Sequence, residues 1–477
     1  MADYEAVIGL EIHVQLSTKT KMFCGCALSF GDEPNVHTCP VCLGHPGTLP
    51  TINEEAIRYA LMIAAALECE TAPRSVFARK NYFYPDLPKG YQISQYDLPI
   101  AVQGRLGDVR IHRAHLEEDA AKLTHVGESG RIHGSGASLV DFNRGGTPLV
   151  EIVTEPDIRS AAQAREWAQL LRTTIRQLGV SDVNMEEGSL RVDGNISLRP
   201  AGSDELGVKT ELKNMNSFRF LERGIEAELS RQRELLEAGE EVAQETLHFD
   251  PNDGSLTSLR SKEYAHDYRY FPEPDLVPVA PTEQMLKEAR ESLPELPAAR
   301  RERYLTEVGL SEEAATTLAF QAELGEYFER AVGAGDGAPA KAIANWVTGD
   351  LVAALRQAGA EEDPLASKAT PEAVAALAGL VEAKTISHGA GKRVLVKLVE
   401  SGGDPAEIVE REGLAQISDS SELEGIVDRA IEAEPEAAEQ VRQGNDKAIG
   451  RIVGAVMKET KGRADGGAIT KLIKERL

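Results

Sequence analysis

Four cysteines crowd into a short stretch near the start of the chain and form two close pairs. Cys24 and Cys26 are separated by one residue, twelve residues follow, and Cys39 and Cys42 are separated by two. Four thiolates at this spacing can surround Zn2+ as a tetrahedron, and because no ligand position stays open, such a zinc is structural. The alternative is four reduced cysteines in a small core. The spacing favours zinc, since two short cysteine pairs seldom occur by accident.

Glu11 and His13 stand two apart in a run typical of a β-strand, so both side chains leave the same face and can converge on one ion or substrate. The simpler interpretation is a half-solvated strand. Further acids favour a site: the run 117–119 is Glu-Glu-Asp, and Glu151 interrupts the apolar run 148–153. A carboxylate within a buried strand is costly unless it is paired or bound to a cation. Three carboxylates and an imidazole suit Mg2+, which keeps waters that a nucleotide phosphate can replace.

The segment from Arg79 to Gln92 is rich in aromatic rings and cations, although only 5% of the chain is aromatic. It admits three interpretations: an RNA surface that combines base stacking with phosphate contacts, a polar passage lined by lysine and tyrosine, or a proline-rich surface turn. No helical or strand pattern accounts for Lys80 and Lys89, which favours the two functional interpretations.

Other segments mix charged and polar residues without a regular period. Asn143–Thr147 places two glycines beside an arginine, which suits either a phosphate-binding turn or a simple hairpin. Segments 186–193, 209–214 and 266–275 combine acids with Lys or Arg in patterns that surface helices rarely show. Gly389–Lys392 lacks the first glycine and the Ser/Thr of a Walker loop, and the motifs of serine hydrolases, zincins and Rossmann folds are absent.

Strands and helices are predicted to alternate up to about residue 292, and the candidate residues above lie on them or between them. Strands are predicted at 6–14, 148–153 and 194–198, and helices at 54–67, 161–178 and 218–237. Ser217 is the expected N-cap of the third helix, and Gly239 is its expected stop. Residues 1–292 are therefore predicted to form an α+β domain.

After residue 292 the alternation of β-branched residues disappears, and Ala, Leu and Glu recur with a helical period. Residues 293–403 are therefore predicted to form an all-α helical domain. The composition shifts again near Ser401–Pro405, after which residues 404–439 are rich in acids and the stretch from Lys447 is basic. This shift predicts a small helical tail domain over residues 404–477.

Composition places the chain among large globular proteins. Its 477 residues suggest about three domains at ~150 residues each, and 42% hydrophobic with 27% charged residues is ordinary for such a chain. A net charge of −25 argues against attraction of nucleic acid by the whole surface, so any RNA contact must use local basic patches. No apolar run approaches the ~20 residues that span a bilayer, and the acidic N-terminus lacks a secretory n-region, so a cytoplasmic protein is expected.

Several long motifs are specific enough to compare with known families. They lie at Gly9–Leu16, Arg79–Gln92, Asp141–Asp157, Met185–Asn195 and Asp267–Asp275. Together they closely resemble the B subunits of the aspartyl/glutamyl-tRNA(Asn/Gln) amidotransferases, and the resemblance covers essentially the whole chain. Residues 444–448 and 453–458 make the tail similar to the tRNA-binding domain of YqeY-like proteins. No synthetase-like insertion interrupts the chain, which favours this family over its larger archaeal relative.

The resemblance implies a cradle-like catalytic domain, a helical domain and a YqeY-like tail. It also implies ATP-dependent phosphorylation of the side-chain carboxylate of Glu-tRNA(Gln) and/or Asp-tRNA(Asn), followed by amidation with ammonia to Gln-tRNA(Gln) or Asn-tRNA(Asn). The implied cofactors are ATP and Mg2+ beside the structural Zn2+, and the implied partners are a glutaminase A subunit and a small C subunit in a heterotrimer. The alternatives are a non-catalytic scaffold that only positions charged tRNA and a self-sufficient ammonia-dependent ligase.

The resemblance also assigns roles to individual residues by position. The implied ligands of Mg2+ are Glu11, His13, Glu118 and Glu151. Two lysines match positions near the route by which ammonia arrives, namely Lys80 and Lys89. Cations and an amide suited to nucleotide phosphates or the acyl-tRNA end are Lys209, Lys213, Asn214 and Arg269. The four cysteines are not universal in the family, so zinc is expected to support the fold rather than the chemistry.

Overall fold

The computed structural model describes residues 4–126, 136–261, 268–335, 337–359, 363–415, 420–443, 445–460, 463–464 and 466–477. Contacts divide the chain into two compact units, Met1–Pro297 and Ala298–Leu477. The strands that the structure describes lie in the first unit, and the second unit is helical. The predicted α+β class is therefore confirmed, whereas the division into three domains at residues 292 and 403 stays a prediction.

Strands make up the frame of the first unit. Among the described residues they are β1 (Tyr4–Gln15), β2 (Glu70–Thr71), β3 (Phe77–Asn81), β4 (Tyr91–Gln95), β5 (Ala101–Leu106), β6 (Val109–Glu118), β7 (Lys122–Val126), β8 (Ala137–Asp141), β9 (Pro148–Thr154), β10 (Leu190–Pro200), β11 (Thr210–Met215), β12 (Glu245–Phe249), β13 (Leu256–Ser261) and β14 (Phe271–Pro272). Within this described part, nine strands form one sheet in the order β13-β12-β11-β10-β1-β9-β6-β5-β2. Neighbouring strands in this sheet are antiparallel, except that β11 and β12 are parallel. Smaller sheets are β14-β3-β4 and β7-β8.

Helices cover one face of the large sheet. They are α1 (Glu54–Ala66), α2 (Ala161–Leu178), α3 (Phe218–Glu237) and α4 (Glu283–Glu291). α1 packs on β5 and β6, α3 packs on β10 and β11, and α2 contacts both α1 and α3. On central strand β1, Ile12 and Val14 are buried in the core with Trp167 of α2, while the alternate residues are only half-buried. This alternation leaves polar side chains on the other face.

The predicted helices agree closely with the structure. α2 and α3 have the predicted bounds, and α1 ends one residue early. Ser217 caps α3 by accepting a hydrogen bond from the backbone N of Phe220 at 3.1 Å. Gly239 follows the end of α3 with a φ of 78°, a conformation that glycine adopts at little cost.

The second unit is built from short helices. They are α5 (Pro297–Thr306), α6 (Glu312–Phe320), α7 (Ala322–Gly333), α8 (Ala340–Asn345), α9 (Val352–Ala358), α10 (Pro371–Glu382), α11 (His388–Ser401), α12 (Pro405–Glu412), α13 (Ser420–Ala433), α14 (Pro435–Arg442), α15 (Ile449–Glu459) and α16 (Gly466–Arg476). A π-helical turn over Trp346–Leu351 joins α8 to α9. One hydrophobic cluster surrounds Tyr327 and Trp346, and a separate one surrounds Ile452 and Ile473. Across the described residues, every helix is too short or too polar to cross a membrane.

Candidate active site

The polar face of the large sheet carries a row of titratable side chains across four adjacent strands. His13 on β1 lies opposite Arg191 on β10 and opposite Glu151 on β9. Glu151 in turn lies opposite His115 on β6. Residues directly opposite each other share a face of the sheet, with Cβ atoms about 4.5–5.5 Å apart. Strand register therefore gathers these groups from distant parts of the chain.

His13 lies at the centre of a group of carboxylates. Its Nε2 atom is 3.4 Å from Glu151 Oε2, 3.7 Å from Glu11 Oε1 and 3.8 Å from Glu117 Oε1. Ligand atoms of His13, Glu117 and Glu151 lie within 4.8 Å of one another, and the same holds for Glu11, His13 and Asp193. We call these five residues the acidic cluster. It contains three of the four residues expected to hold Mg2+.

Burial and the neighbouring charges shift the pKa values of residues in the acidic cluster. Burial raises the pKa of Glu11, and the charge of Glu151 raises it further. Burial acts on Glu151 in the same direction, but His115 and His13 outweigh it and hold the pKa of Glu151 well below its usual value. Burial lowers the pKa of His13, but its carboxylate neighbours, Glu151 foremost, raise it to about 9. A divalent cation fits this donor set because it can replace the proton of His13 in balancing the carboxylates.

Glu118 does not join the acidic cluster, although the resemblance implies that it is a Mg2+ ligand. Successive residues of a strand project to opposite faces, so Glu117 and not Glu118 meets His13. Glu118 instead accepts a hydrogen bond from the backbone N of Ile93 at 2.9 Å and forms an ion pair with Lys89. Glu117, and not Glu118, therefore lies with His13 and Glu151.

Three residues at this site were not assigned to it from the sequence, namely His115, Glu117 and Asp193. Glu117 and His115 have the same two-residue spacing on β6 that marks Glu11 and His13 on β1, and this parity could have identified them. Asp193 lies in the charged segment 186–193, where spacing alone does not distinguish it from its neighbours.

An ion pair between buried Asp119 and half-buried Arg191 supports the edge of the acidic cluster. Asp119 accepts hydrogen bonds from the two terminal nitrogens of Arg191 at 2.9 and 3.0 Å and from Gln15 Nε2 at 2.6 Å. Burial alone would raise the pKa of Asp119, but Arg191 and Arg144 lower it. Because Arg191 lies opposite His13, this pair ties the end of β6 to the strands that carry the cluster.

Lys80 lies at the border of the acidic cluster. It is on β3, and its Nζ atom is 4.8 Å from the centroid of the Tyr268 ring. Burial opposes its charge, but Glu117 and nearby tyrosines outweigh burial and raise the pKa of Lys80. The ammonium group of Lys80 is therefore stabilised by the negative charge of the cluster.

Lys89 is placed differently from Lys80. It lines a cavity of about 90 Å3 together with Glu118, Lys21, Cys42 and Gly146. This cavity lies beside the cysteines, and its polar lining comes from the Lys89–Glu118 pair and buried Lys21.

The cysteines of the predicted zinc site come together. Within 4.8 Å of one another lie the sulfur atoms of Cys24, Cys26, Cys39 and Cys42. The backbone N of Cys39 donates to Cys42 Sγ at 3.2 Å, and Lys21 Nζ lies 3.8 Å from the same sulfur. A hydrogen bond from Cys24 lowers the pKa of Cys42 to about 4. Four sulfurs in reach of one ion suit Zn2+.

The residues expected near nucleotide or acyl-tRNA have different surroundings. Lys213 Nζ lies 3.0 Å from Asp193 Oδ2, so it borders the acidic cluster. Lys209 is exposed in the loop before β11, and Arg269 is exposed just before β14. Asn214 lies within β11, and its side chain is outside the part that the structure describes. The structure thus brings only Lys213 to the described part of the cluster.

Comparison with known proteins gives matches along most of the chain. Residues 6–287 match the family described as the GatB/GatE catalytic domain, and residues 326–477 match the GatB domain. A relative from Anaeromyxobacter dehalogenans (strain 2CP-1) is 49% identical over 100% of this chain and 99% of its own. Relatives from Geobacter sulfurreducens and Persephonella marina are 50% and 48% identical, again over 100% of this chain and over 99% and 100% of their own.

All three relatives are named as the B subunit of an aspartyl/glutamyl-tRNA(Asn/Gln) amidotransferase. Identity is near one half along the full length, and every motif that suggested the resemblance lies within one of the two matched domains. The chain therefore belongs to the family of aspartyl/glutamyl-tRNA(Asn/Gln) amidotransferase B subunits.

Proposed function

We propose that this chain carries out the activation and amidation steps of a tRNA-dependent amidotransferase. As a member of its family it is one component of a glutamine-hydrolysing ligase. In our proposal its substrates are Glu-tRNA(Gln) and/or Asp-tRNA(Asn), and its products are Gln-tRNA(Gln) and/or Asn-tRNA(Asn). The observation that carries the proposal is the convergence of His13, Glu117 and Glu151. A scaffold that only positions tRNA has no need of such a buried ligand set.

The proposed reaction has two steps because a bare carboxylate has no good leaving group. An oxygen of the side-chain carboxylate first attacks the γ-phosphorus of ATP, a P–O bond forms, and the bond to ADP breaks. Ammonia then attacks the carbonyl carbon of the acyl phosphate, a C–N bond forms, and the C–O bond to the phosphoryl group breaks. Inorganic phosphate leaves with the former carboxylate oxygen and takes up the proton that the nitrogen loses. Activation must therefore precede amidation.

The acidic cluster is the proposed Mg2+ site. Glu11, His13, Glu117 and Glu151 would hold the ion, with Asp193 at the edge. When bound, Mg2+ would neutralise charge on the phosphates of ATP and on the transferring phosphoryl group. The role implied for Glu118 as a ligand thus passes to Glu117.

Lys80 is proposed to attract the substrate carboxylate or the phosphates to the border of the cluster. Its ammonium group lies over the Tyr268 ring, and the charge of Glu117 raises the pKa of Lys80, so the amine stays protonated in the absence of substrate. Lys213 is proposed to contribute a second cation from the β11 side, where it is paired with Asp193. We keep Lys209, Asn214 and Arg269 as proposed contacts to nucleotide or acyl-tRNA.

The Lys89–Glu118 pair is proposed to border the route of ammonia. Ammonia must arrive unprotonated, since ammonium is not a nucleophile, and a confined passage keeps it from bulk water. The cavity of about 90 Å3 beside this pair supports the proposal. The partners would be a glutaminase A subunit that releases the ammonia and a small C subunit, together a heterotrimer. Zn2+ at the four cysteines would support the loop that lines this cavity.

The decisive test is the Glu151→Gln variant in the complex reconstituted with A and C subunits. We expect ATP-dependent conversion of Glu-tRNA(Gln) to fall by at least about 100-fold, because the buried amide cannot replace the charge of a metal ligand. Glutamine hydrolysis by the glutaminase partner should persist. The matched control is Glu155→Gln, since Glu155 pairs with His112 at 2.9 Å outside the acidic cluster.

Two results would contradict the proposal. Amidation that survives in Glu151→Gln would remove the acidic cluster from the chemistry. Amidation of charged tRNA that needs no ATP in the wild-type complex would remove the activation step itself, and the scaffold would be the better description.

A further inference from the structure

A row of tyrosine rings runs beside the acidic cluster, and the proposed chemistry does not use it. Tyr84 stacks on Tyr82 with centroids 5.8 Å apart, and Tyr82 meets Tyr268 edge to face at 6.3 Å. Tyr268 meets Tyr270 at 6.1 Å, and Tyr270 stacks on Tyr96 at 4.1 Å. These ring contacts are continuous, and we call the five residues the tyrosine row.

The tyrosine row presents large rings to solvent at both ends. Tyr96 is 52% exposed at one end, Tyr84 is 39% exposed at the other, and neighbouring Phe83 is 89% exposed. Aromatic residues are only 5% of the chain, so this concentration at one surface is unusual. Contiguous exposed apolar surface commonly marks a binding site.

The backbone holds the tyrosine row in place. The backbone N of Asn81 donates to the carbonyl of Tyr268 at 2.9 Å, and Asn81 Nδ2 donates to the carbonyl of Arg269 at 2.7 Å. Arg269 has a φ of 45°, a left-handed conformation that is strained for a side-chain-bearing residue. This strained turn, anchored by Asn81, directs the two neighbouring tyrosines into the row.

The tyrosine row borders the acidic cluster at Lys80. The Nζ atom of Lys80 lies 4.8 Å from the Tyr268 ring centroid. The charges of Glu117 and Glu151 act on Tyr270 as well as on Lys80. The middle of the tyrosine row, at Tyr268, therefore lies against the lysine that borders the acidic cluster, so a ligand on the row lies beside that cluster.

We propose that the tyrosine row stacks the unpaired bases at the 3′ end of the charged tRNA. This proposal rests on the proposed function, because the amino acid to be activated is esterified to the last ribose of that end. Aromatic side chains stack single-stranded bases without sequence preference, which suits an end that all tRNAs share. A row of several rings offers faces to successive bases, whereas the adenine of ATP would need one.

The test uses the complete heterotrimer and a tRNA whose terminal adenine is replaced by 2-aminopurine, a base whose fluorescence falls when it stacks. We expect quenching on binding to the wild type and loss of quenching in Tyr96→Ala and Tyr82→Ala. The KM for Glu-tRNA(Gln) should rise roughly fivefold to a hundredfold in these variants, with kcat and the KM for ATP little changed. Tyr96→Phe should restore both values, because the phenyl ring keeps the stacking face.

Phe30→Ala is the matched control, since Phe30 is 70% exposed and lies outside the tyrosine row. Unchanged quenching in both alanine variants would overturn the proposal. A rise in the KM for ATP alone, with quenching relieved by excess ATP, would assign the rings to the nucleotide and equally overturn it. Failure of the proposed function would look different, because the wild-type complex would quench the probe but make no amide.

Discussion

At the scale of single residues, the pleat of one strand decides which carboxylate takes part in the acidic cluster. Glu117 and Glu118 are chemically the same side chain, yet only Glu117 lies near His13, at 3.8 Å. Glu118 lies beside the cavity and pairs with Lys89. The two residues therefore allow a matched comparison between metal binding and ammonia supply.

We predict that Glu117→Gln and Glu118→Gln impair different steps. Glu117→Gln should weaken the apparent affinity for Mg2+ by about 10–100-fold and lower amidation with either glutamine or ammonium salts. Glu118→Gln should leave the Mg2+ dependence unchanged and reduce only the glutamine-driven reaction. Initial rates against Mg2+ concentration, with each nitrogen source, distinguish the two variants. Equal loss of Mg2+ affinity in both would contradict the assignment by strand face.

The Asp119–Arg191 pair predicts how stability depends on pH. The pKa of Asp119 is lower in the folded chain than its usual value of 3.8, so its charge stabilises the fold above pH 3.8 and this stabilisation is lost as the pH falls below 3.8. Asp119→Asn should lower the unfolding free energy at neutral pH by about 1–3 kcal/mol, because Arg191, which is 28% exposed, loses a hydrogen-bonded partner. Urea denaturation at pH 7 and at about pH 3 should show a smaller difference in acid. The exposed Asp108 supplies the control variant Asp108→Asn.

At the scale of elements, close contacts between backbone segments limit which residues the large sheet can accommodate. Gly104 lies on β5 beside the connection that follows α1, where the N–H of Arg105 donates to the carbonyl of Leu67 at 2.7 Å. A Cβ atom at Gly104 would lie 2.5 Å from that carbonyl oxygen and 2.2 Å from Cys69 Sγ. The edge of the large sheet can therefore meet α1 only if this residue has no side chain.

We predict that Gly104→Ala destabilises the first unit by about 1–3 kcal/mol, because the backbone of β5 must move away from Leu67. The measurement is the urea midpoint followed by the fluorescence of Trp167 in a Trp346→Phe background. Gly389→Ala serves as the control, since a Cβ atom there meets no other group within 4 Å and the residue is in the helical unit. An unchanged urea midpoint in Gly104→Ala would contradict the prediction, because it would show that β5 can accommodate a methyl group beside Leu67 without loss of stability.

At the scale of the whole molecule, the described residues of the two compact units form separate hydrophobic clusters, one in the first unit and two in the second. The chain has two tryptophans, and they report on different cores. Trp167 is buried in the first unit and donates from Nε1 to the carbonyl of Leu106 at 2.9 Å, whereas Trp346 is buried in the helical unit. Removing one tryptophan therefore leaves a probe for the other unit.

We predict that Trp167 and Trp346 report two different unfolding transitions, because separate hydrophobic cores in separate compact units unfold as separate cooperative blocks. Trp346→Phe and Trp167→Phe variants should give different midpoints in urea at the same pH. Removing the proposed zinc with a chelator should shift the Trp167 transition and leave the Trp346 transition unchanged, since the cysteines lie in the first unit. Coincident midpoints in both variants, or a zinc effect on Trp346, would contradict separate unfolding.

Features that depend on neighbouring residues can be predicted from the sequence. The bounds of α2 and α3 follow from helical periodicity and from the Ser217 cap, and the two-residue spacing predicts that Glu11 and His13 share a face. The long motifs were sufficient to suggest the family that the comparisons then showed. All of these depend on local patterns, which are read directly from consecutive residues.

Which distant groups meet depends instead on how the strands pair. Asp193 and Glu117 join His13 because β10, β1, β9 and β6 pair in one register, and a shift of one residue would have brought Glu118 instead. The tyrosine row likewise forms only because β14 returns to pair with β3. Register and strand order are set by hydrogen bonds and core packing between segments far apart in the chain, so no local pattern determines them.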